Sequence, residues 1–279
     1  MFTPFAFIQI PKVESFPPIP PVDPDAQAFI TAANITDPTE QTAINTLVLD
    51  LKSYNIWSKY SVIYPFVGGT LNPCSLNLKD PKSFQIVFSP GWTFNKNGIT
   101  SNGQCYGDTG FSPYKHFNSD TNYQYSIYSR TQGDSNDFYT FDMTICDEYG
   151  YVAAIHNLYI RTSEQLQFYD VYGGYISRTY TSKDGFGLYT ISRTDPQTYI
   201  AYRNGIVMDI KGLTAISPGS RPLSTVVITG LNDPCSGISP LATIKNYAFW
   251  AMGDGLTSIE SSKLYTAVQA FQTTLGRAV

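Results

Sequence analysis

GDGLTSIESSKLYTAVQAFQTTLGRAV, Gly253 to Val279, is the stretch from which the rest of the chain is read. Just before it, Phe249-Trp250-Ala251-Met252 is an apolar run of strand length. Gly253-Asp254-Gly255 then turns the chain. Thr257 stands at an N-cap position with Glu260 three residues on, the spacing of a capping box. Leu264, Ala267, Val268, Phe271 and Leu275 recur at helical spacing and predict one buried stripe. Gly276 falls where a left-handed C-terminal cap belongs.

Upstream the composition is that of strands joined by turns. The 279 residues include 21 Tyr, 17 Phe, 21 Gly and 18 Pro, and good helix formers are scarce. This length suits one large β domain with accessories, or two small domains. The net charge is -4 with no basic run, so nucleic acid is not an expected partner. Cys74, Cys105, Cys146 and Cys235 are too widely spaced for a zinc pattern. Free thiols are the expectation, with a Cys74–Cys105 disulfide as the alternative.

Residues 1–22 read as an extended, Pro-rich arm. Pro17-Pro18-Ile19-Pro20-Pro21 favours stiff polyproline II, and Phe2, Phe5, Phe7, Ile8 and Ile10 make an apolar tip. The tip suits an anchor, or a strand that folds back on its own domain. It has no basic leader and is broken by proline, so neither a secretory signal nor membrane insertion is expected. Residues 23–60 read as a helical hairpin. Asp23-Pro24 starts one helix with Ala26, Phe29, Ile30 and Ala33 on a face, ended by Asn34. Asp37-Pro38-Thr39-Glu40 starts the next in capping-box register, striped by Ile44, Leu47, Val48 and Leu51.

From Ser61 up to the closing segment the hydrophobic period becomes two. Strands are predicted at 60–67, 83–89, 123–130, 138–145, 152–161, 166–172, 175–181, 187–193, 198–203, 206–210, 225–229 and 245–252. Asn204-Gly205 between two of them is a type I′ hairpin signal. So many short strands imply a two-sheet sandwich or jelly roll.

The closing GDGLT-to-helix segment resembles the end of the laminin G-like, concanavalin A-like jelly rolls of phage virion proteins. Asp23 to Trp57, YPFVGGT (Tyr64 to Thr70) and NLKDP (Asn77 to Pro81) extend that resemblance, as does the Tyr202-Arg203-Asn204-Gly205 hairpin. Gly91-Trp92-Thr93-Phe94 lies near where such proteins show GGWT. The resemblance implies an all-β concanavalin A-like jelly-roll sandwich over residues 61–279, with two N-terminal helices and a C-terminal helix. It also implies a virion structural protein of capsid, head fibre or tail, made in the host cytoplasm. Its partners would be other virion proteins and a host-surface glycan. A homo-oligomer suits a fibre, although no heptad seam marks one. The alternative is a carbohydrate-binding, receptor-binding lectin module; a glycosidase ranks below both.

Catalysis is not expected. Glycosidases of this fold use a Glu-x-Asp-x-Glu strand, and Glu14, Glu40, Glu148, Glu164 and Glu260 each lack a carboxylate two residues away. Asp142, Asp147 and Glu148 cluster in sequence, but 147–150 reads as a turn. His156 shares a strand face with apolar residues and reads as a core histidine. His116 sits in a loop with no recognisable partner, which leaves no triad. No cofactor is expected beyond calcium, which the resemblance implies at a sheet rim. Asp108, Asp134, Asp137 and Asp233 are candidate ligands or plain solvated loop acids. Tyr128, Tyr139, Tyr169, Tyr172, Tyr175 and Tyr180 are sugar-stacking platforms or ordinary sheet packing.

Overall fold

The computed structural model describes residues 21–119, 121–131, 142–144, 157–162, 165–170, 174–179, 185–212, 225–233, 237–240 and 244–279. In 157–179, 209–212 and 230–240 only the backbone is described. The anchor tip Phe2, Phe5, Phe7, Ile8 and Ile10 lies outside these residues, as do Asp134, Asp137, Glu148 and His156.

The chain opens with α1 (Pro24–Ala32), α2 (Pro38–Ser53), β1 (Tyr60–Tyr64) and the short α3 (Leu71–Ser75). Next come β2 (Val87–Phe88), β3 (Trp92–Asn95), β4 (Gly98–Ser101), β5 (Gly107–Asp108), α4 (Pro113–His116), β6 (Tyr123–Ser129) and β7 (Met143–Thr144). Then follow β8 (Asn157–Thr162), β9 (Gln165–Asp170), β10 (Gly174–Thr179), β11 (Gly187–Arg193), β12 (Thr198–Arg203) and β13 (Ile206–Gly212). The chain closes with β14 (Val227–Ile228), β15 (Gly230–Asp233), β16 (Gly237–Pro240), β17 (Asn246–Gly253) and α5 (Ser258–Thr274).

Two antiparallel sheets face each other. One runs β13-β12-β11-β6-β17-β4-β3 with β1 also on β17; the other runs β10-β9-β8-β7-β14-β5-β2. Tyr64, Tyr125, Ile127, Tyr199, Tyr247 and Trp250 fill the space between them. The outer face of the first sheet is covered by α1, α2 and α5, so a second core forms there around Phe29, Leu47, Tyr128, Phe249 and Phe271. The alternation along β17 shows why its sequence is apolar throughout. Tyr247, Trp250 and Met252 point into the inter-sheet core, whereas Ala248, Phe249 and Ala251 point to the helices. The register shift between Tyr247 and Phe249 accounts for the one break in alternation.

The closing segment forms as its residues dictate. Thr257 Oγ1 accepts from Glu260 N, and Thr257 N donates to the Glu260 carboxylate, so the capping box is complete. Leu264, Ala267, Val268 and Phe271 are buried, and Gly276 has φ +64°. Glu260 also pairs with Lys59 at 2.7 Å. Thr257→Ala is therefore expected to destabilise the fold by about 1 kcal/mol; a chemical-denaturation midpoint unchanged from wild type would contradict this. In α2 only half of the expected box forms. Asp37 accepts from Thr39 N and Glu40 N, but Glu40 turns away to accept from Gly68 N.

Several strand boundaries differ from the sequence reading. The strand predicted at 60–67 ends at Tyr64, because Phe66 (φ 44°), Gly68 and Gly69 turn the chain. The strand predicted at 83–89 shrinks to Val87–Phe88, since Phe84 adopts φ 55° while Tyr64 OH donates to its carbonyl. The Asn204-Gly205 turn has positive φ at both residues, and its tip packs on α5 at Ser262 and Tyr265. Cys74 and Cys105 are buried free thiols rather than a disulfide. Among the described residues no helix is long and apolar enough to cross a membrane.

Candidate functional site

Where α1 hands over to α2, the chain leaves helical geometry at Asn34 (φ 52°) and runs through Ile35 and Thr36 to the Asp37 cap. Opposite lies the turn after β1. There Gly68 has no room for a side chain, because a Cβ would sit 2.6 Å from Pro73 Cγ and 2.9 Å from Ile35 Cδ1. Lys96, at the β3–β4 turn, closes the third side. Together these segments enclose a cleft of about 550 Å³. Its walls carry the amides of Asn34 and Asn72, the hydroxyls of Thr36 and Thr70, the Asp37 and Glu40 carboxylates and the Lys96 ammonium.

The cleft is built on a rigid frame. Glu40 Oε1 accepts from Gly68 N at 3.1 Å and so ties α2 to the glycine turn. Gln41 Nε2 donates to Ile35 O at 2.8 Å. Behind the wall the fully buried Arg277 donates through Nη1 to Phe66 O and Lys96 O, and through Nη2 to Pro65 O and Ala248 O. Its Nε donates to Gln272 Oε1. Burial pushes the Arg277 pKa down to about 10, so the group is still charged at neutral pH. Beside it, burial raises the Cys74 thiol to about 12, which makes it an inert packing group.

This arrangement offers paired donors and acceptors on a fixed backbone, the chemistry that holds a polyhydroxylated ligand. Among the described residues no group of three or more His, Cys, Asp or Glu gathers as a metal site. Sequence reasoning assigned Asp37 and Glu40 only to helix capping and Gly68-Gly69 only to a motif. The consecutive glycines in YPFVGGT were the available signal, since they mark a place where backbone approaches closely.

Among the described residues, those singled out from sequence do not gather into one site. Asp108 lies in β5 rather than in a loop, and its Oδ1 accepts from Gly110 N. Asp233 ends β15. Asp142 is fully buried between the sheets, where its carboxylate accepts from Tyr247 OH at 2.6 Å and lies 3.8 Å from Lys245 Nζ. His116 does have partners: Nδ1 accepts from Ser112 N, and the ring packs on Phe84 and Phe111. Burial lowers its pKa. Tyr128 is not a platform: it is buried under α5, with its hydroxyl bonded to Gln269 and Val279. The side chains of Tyr139, Tyr169, Tyr172, Tyr175 and Tyr180 lie outside the described residues. A separate aromatic group closes one side of the sandwich. Phe88 makes edge contacts with Trp92 and Phe94, and Trp92 Nε1 donates to Tyr106 O.

No protein-family model and no curated protein sequence matches the chain. Solved structures do match it. One, concerned with cell entry of botulinum neurotoxin type C through two ganglioside molecules, is 12% identical with a TM-score of 0.54, covering 77% of this chain and 53% of that one. The botulinum neurotoxin serotype D ligand binding domain in complex with N-acetylneuraminic acid is 11% identical with a TM-score of 0.52, covering 78% and 52%. Domain 4 of AbnA, an extracellular GH43 arabinanase from Geobacillus stearothermophilus, bound to arabinotriose, is 12% identical with a TM-score of 0.49, covering 74% and 98%. The chain spans about half the length of the neurotoxin chains it matches. At such identities the likeness establishes fold alone: this chain is an all-β jelly-roll sandwich of two antiparallel sheets, with two helices before it and one after.

Proposed function

We propose that the chain is a carbohydrate-binding, receptor-binding module and that the α1–α2 cleft is where it holds glycan. The observation that carries this reading is the cleft: about 550 Å³ walled by amides, hydroxyls and carboxylates on a hydrogen-bonded frame. Support comes from the neurotoxin domains of the same fold, which are described with gangliosides and N-acetylneuraminic acid. Fold alone does not assign a ligand, since jelly rolls host many functions. A glycan array probed with the full chain is expected to show at least one bound class. Thr70→Trp, which fills the cleft from an exposed position, is expected to weaken that binding by about tenfold or more, as loss of a few hydrogen bonds implies. An array without any bound glycan refutes the module. Binding that persists in Thr70→Trp moves the site elsewhere. Binding through the cleft does not depend on calcium, so it should survive a chelator; loss on chelation would instead favour a rim site at acids such as Asp108.

A second reading, which rests on the sequence resemblance, is a structural component of a phage particle that is not an enzyme. The two stretches that carry it, 23–57 and 253–279, stand far apart in sequence yet pack together, with α1, α2 and α5 sharing a core over β17. On this reading residues 1–22 attach the domain to neighbouring virion proteins. Among the described residues the first long-range bonds begin at Asp23, whose N–H donates to Asn45 Oδ1 and whose carboxylate pairs with Lys52. Deleting residues 1–22 is therefore expected to leave a domain that melts like its parent but is absent from purified particles on immunoblots. Normal incorporation would overturn the anchor. Cryo-electron microscopy of whole particles then separates capsid from tail.

A further inference from the structure

We infer that the cleft selects uncharged or amino-bearing sugars and discriminates against acidic ones; this rests on the glycan-binding reading above. The N-terminus of α2 faces the cleft and would ordinarily attract an anion. Here its donors are already engaged: Thr39 N and Glu40 N both donate to Asp37 Oδ1. Gly68 N, on the opposite wall, is engaged by Glu40 Oε1. The chain's own carboxylates thus occupy three backbone donors that an acidic sugar could otherwise use. The second oxygen of each carboxylate accepts no hydrogen bond among the described residues, and so takes a hydroxyl or ammonium donor.

The charge balance points the same way. Asp37, Glu40 and the C-terminal end of the nine-residue α1 put negative potential into the cleft. Lys96 is the one cation lining it among the described residues. Arg277 lies behind the wall, but its five N–H groups are all spent on protein oxygens, leaving none for a ligand.

The test compares each neutral glycan that binds the full chain with its sialylated form, such as lactose with sialyllactose, and chitotriose with its deacetylated glucosamine trimer. Isothermal titration is expected to show the sialylated form weaker by about tenfold and the glucosamine trimer at least equal to its parent. The double variant Asp37→Asn, Glu40→Gln keeps both capping oxygens and so keeps the fold. It is expected to bring the sialylated and neutral forms to within about threefold. Equal or tighter binding of sialylated forms by the wild type overturns the inference, as does discrimination unchanged in the double variant. In both cases the module itself stands if Thr70→Trp still removes binding. If no glycan binds, module and selectivity fall together.

Discussion

Arg277→Met is expected to destabilise the fold by about 4 kcal/mol, lowering the melting temperature by roughly 10 °C. The substitution preserves most of the side-chain volume, so the loss comes from hydrogen bonding rather than from a cavity. Arg277 is 1% exposed and bonds to Pro65 O, Phe66 O, Lys96 O, Ala248 O and Gln272 Oε1. Among the described residues no carboxylate forms an ion pair with it; carbonyl oxygens, helped by the Phe271 ring 5.5 Å away, offset its desolvation. Methionine would leave several of those acceptors dry and unpartnered, each costing about 1–3 kcal/mol before relaxation. Arg277→Lys keeps the charge but not the planar fork, and should recover less than half of the loss. Thermal unfolding followed by circular dichroism decides the matter, and a loss below about 1 kcal/mol would show that water enters the site to replace the guanidinium.

Gly255→Ala is the second large effect, expected at about 3 kcal/mol or more. A Cβ there would lie 1.9 Å from Arg193 O, and at Gly253 it would lie 2.0 Å from Lys59 O. Both obstacles are backbone. Neither can swing aside, because the same turn is held by Asp254 N donating to Lys59 O, Gly255 N to Asn122 Oδ1 and Leu256 N to Ser192 Oγ. Gly276→Ala is the instructive contrast. Gly276 has φ +64° but nothing within 4 Å of its would-be Cβ, so only the left-handed strain of about 1 kcal/mol applies. The order Gly255 above Gly276 in denaturant midpoints tests whether space or dihedral angle governs this turn. The reverse order would show that the backbone yields more readily than its hydrogen bonds imply.

These contacts mark what can be read from a sequence. The capping box, the apolar stripe of α5 and the Asn204-Gly205 hairpin were legible because each depends on neighbours in the chain. The role of Gly253 and Gly255 was only half legible. A glycine-rich turn was evident, but Lys59 and Arg193, distant in sequence, are what demand glycine there. Strands β3, β4 and β5 were missed, since pairings such as Trp92 with Ser101 and Val227 with Asp108 stabilise segments of weak alternation. The cleft was the least legible. Asp37 and Glu40 have a sufficient local explanation as helix starters, and nothing local shows that Gly68-Gly69 folds opposite them. Tyr128 failed in the opposite direction: a strand tyrosine with an exposed alternative was covered by a helix whose contact residue, Gln269, lies 141 residues later.

The position of β17 has a consequence for biosynthesis. This strand, last in chain order among the described strands of its sheet, lies between β6 and β4 and also carries β1, so the middle of the larger sheet leaves the ribosome after its flanks. Until then β6 and β4 have no partner to join them, and the helices have no floor on which to settle. This layer therefore closes only once β17 and α5 have been made, in one late step with high contact order. A ribosome stalled before residue 246 yields a nascent chain with open strand edges, a substrate for holdase chaperones and proteases rather than a shortened but usable domain.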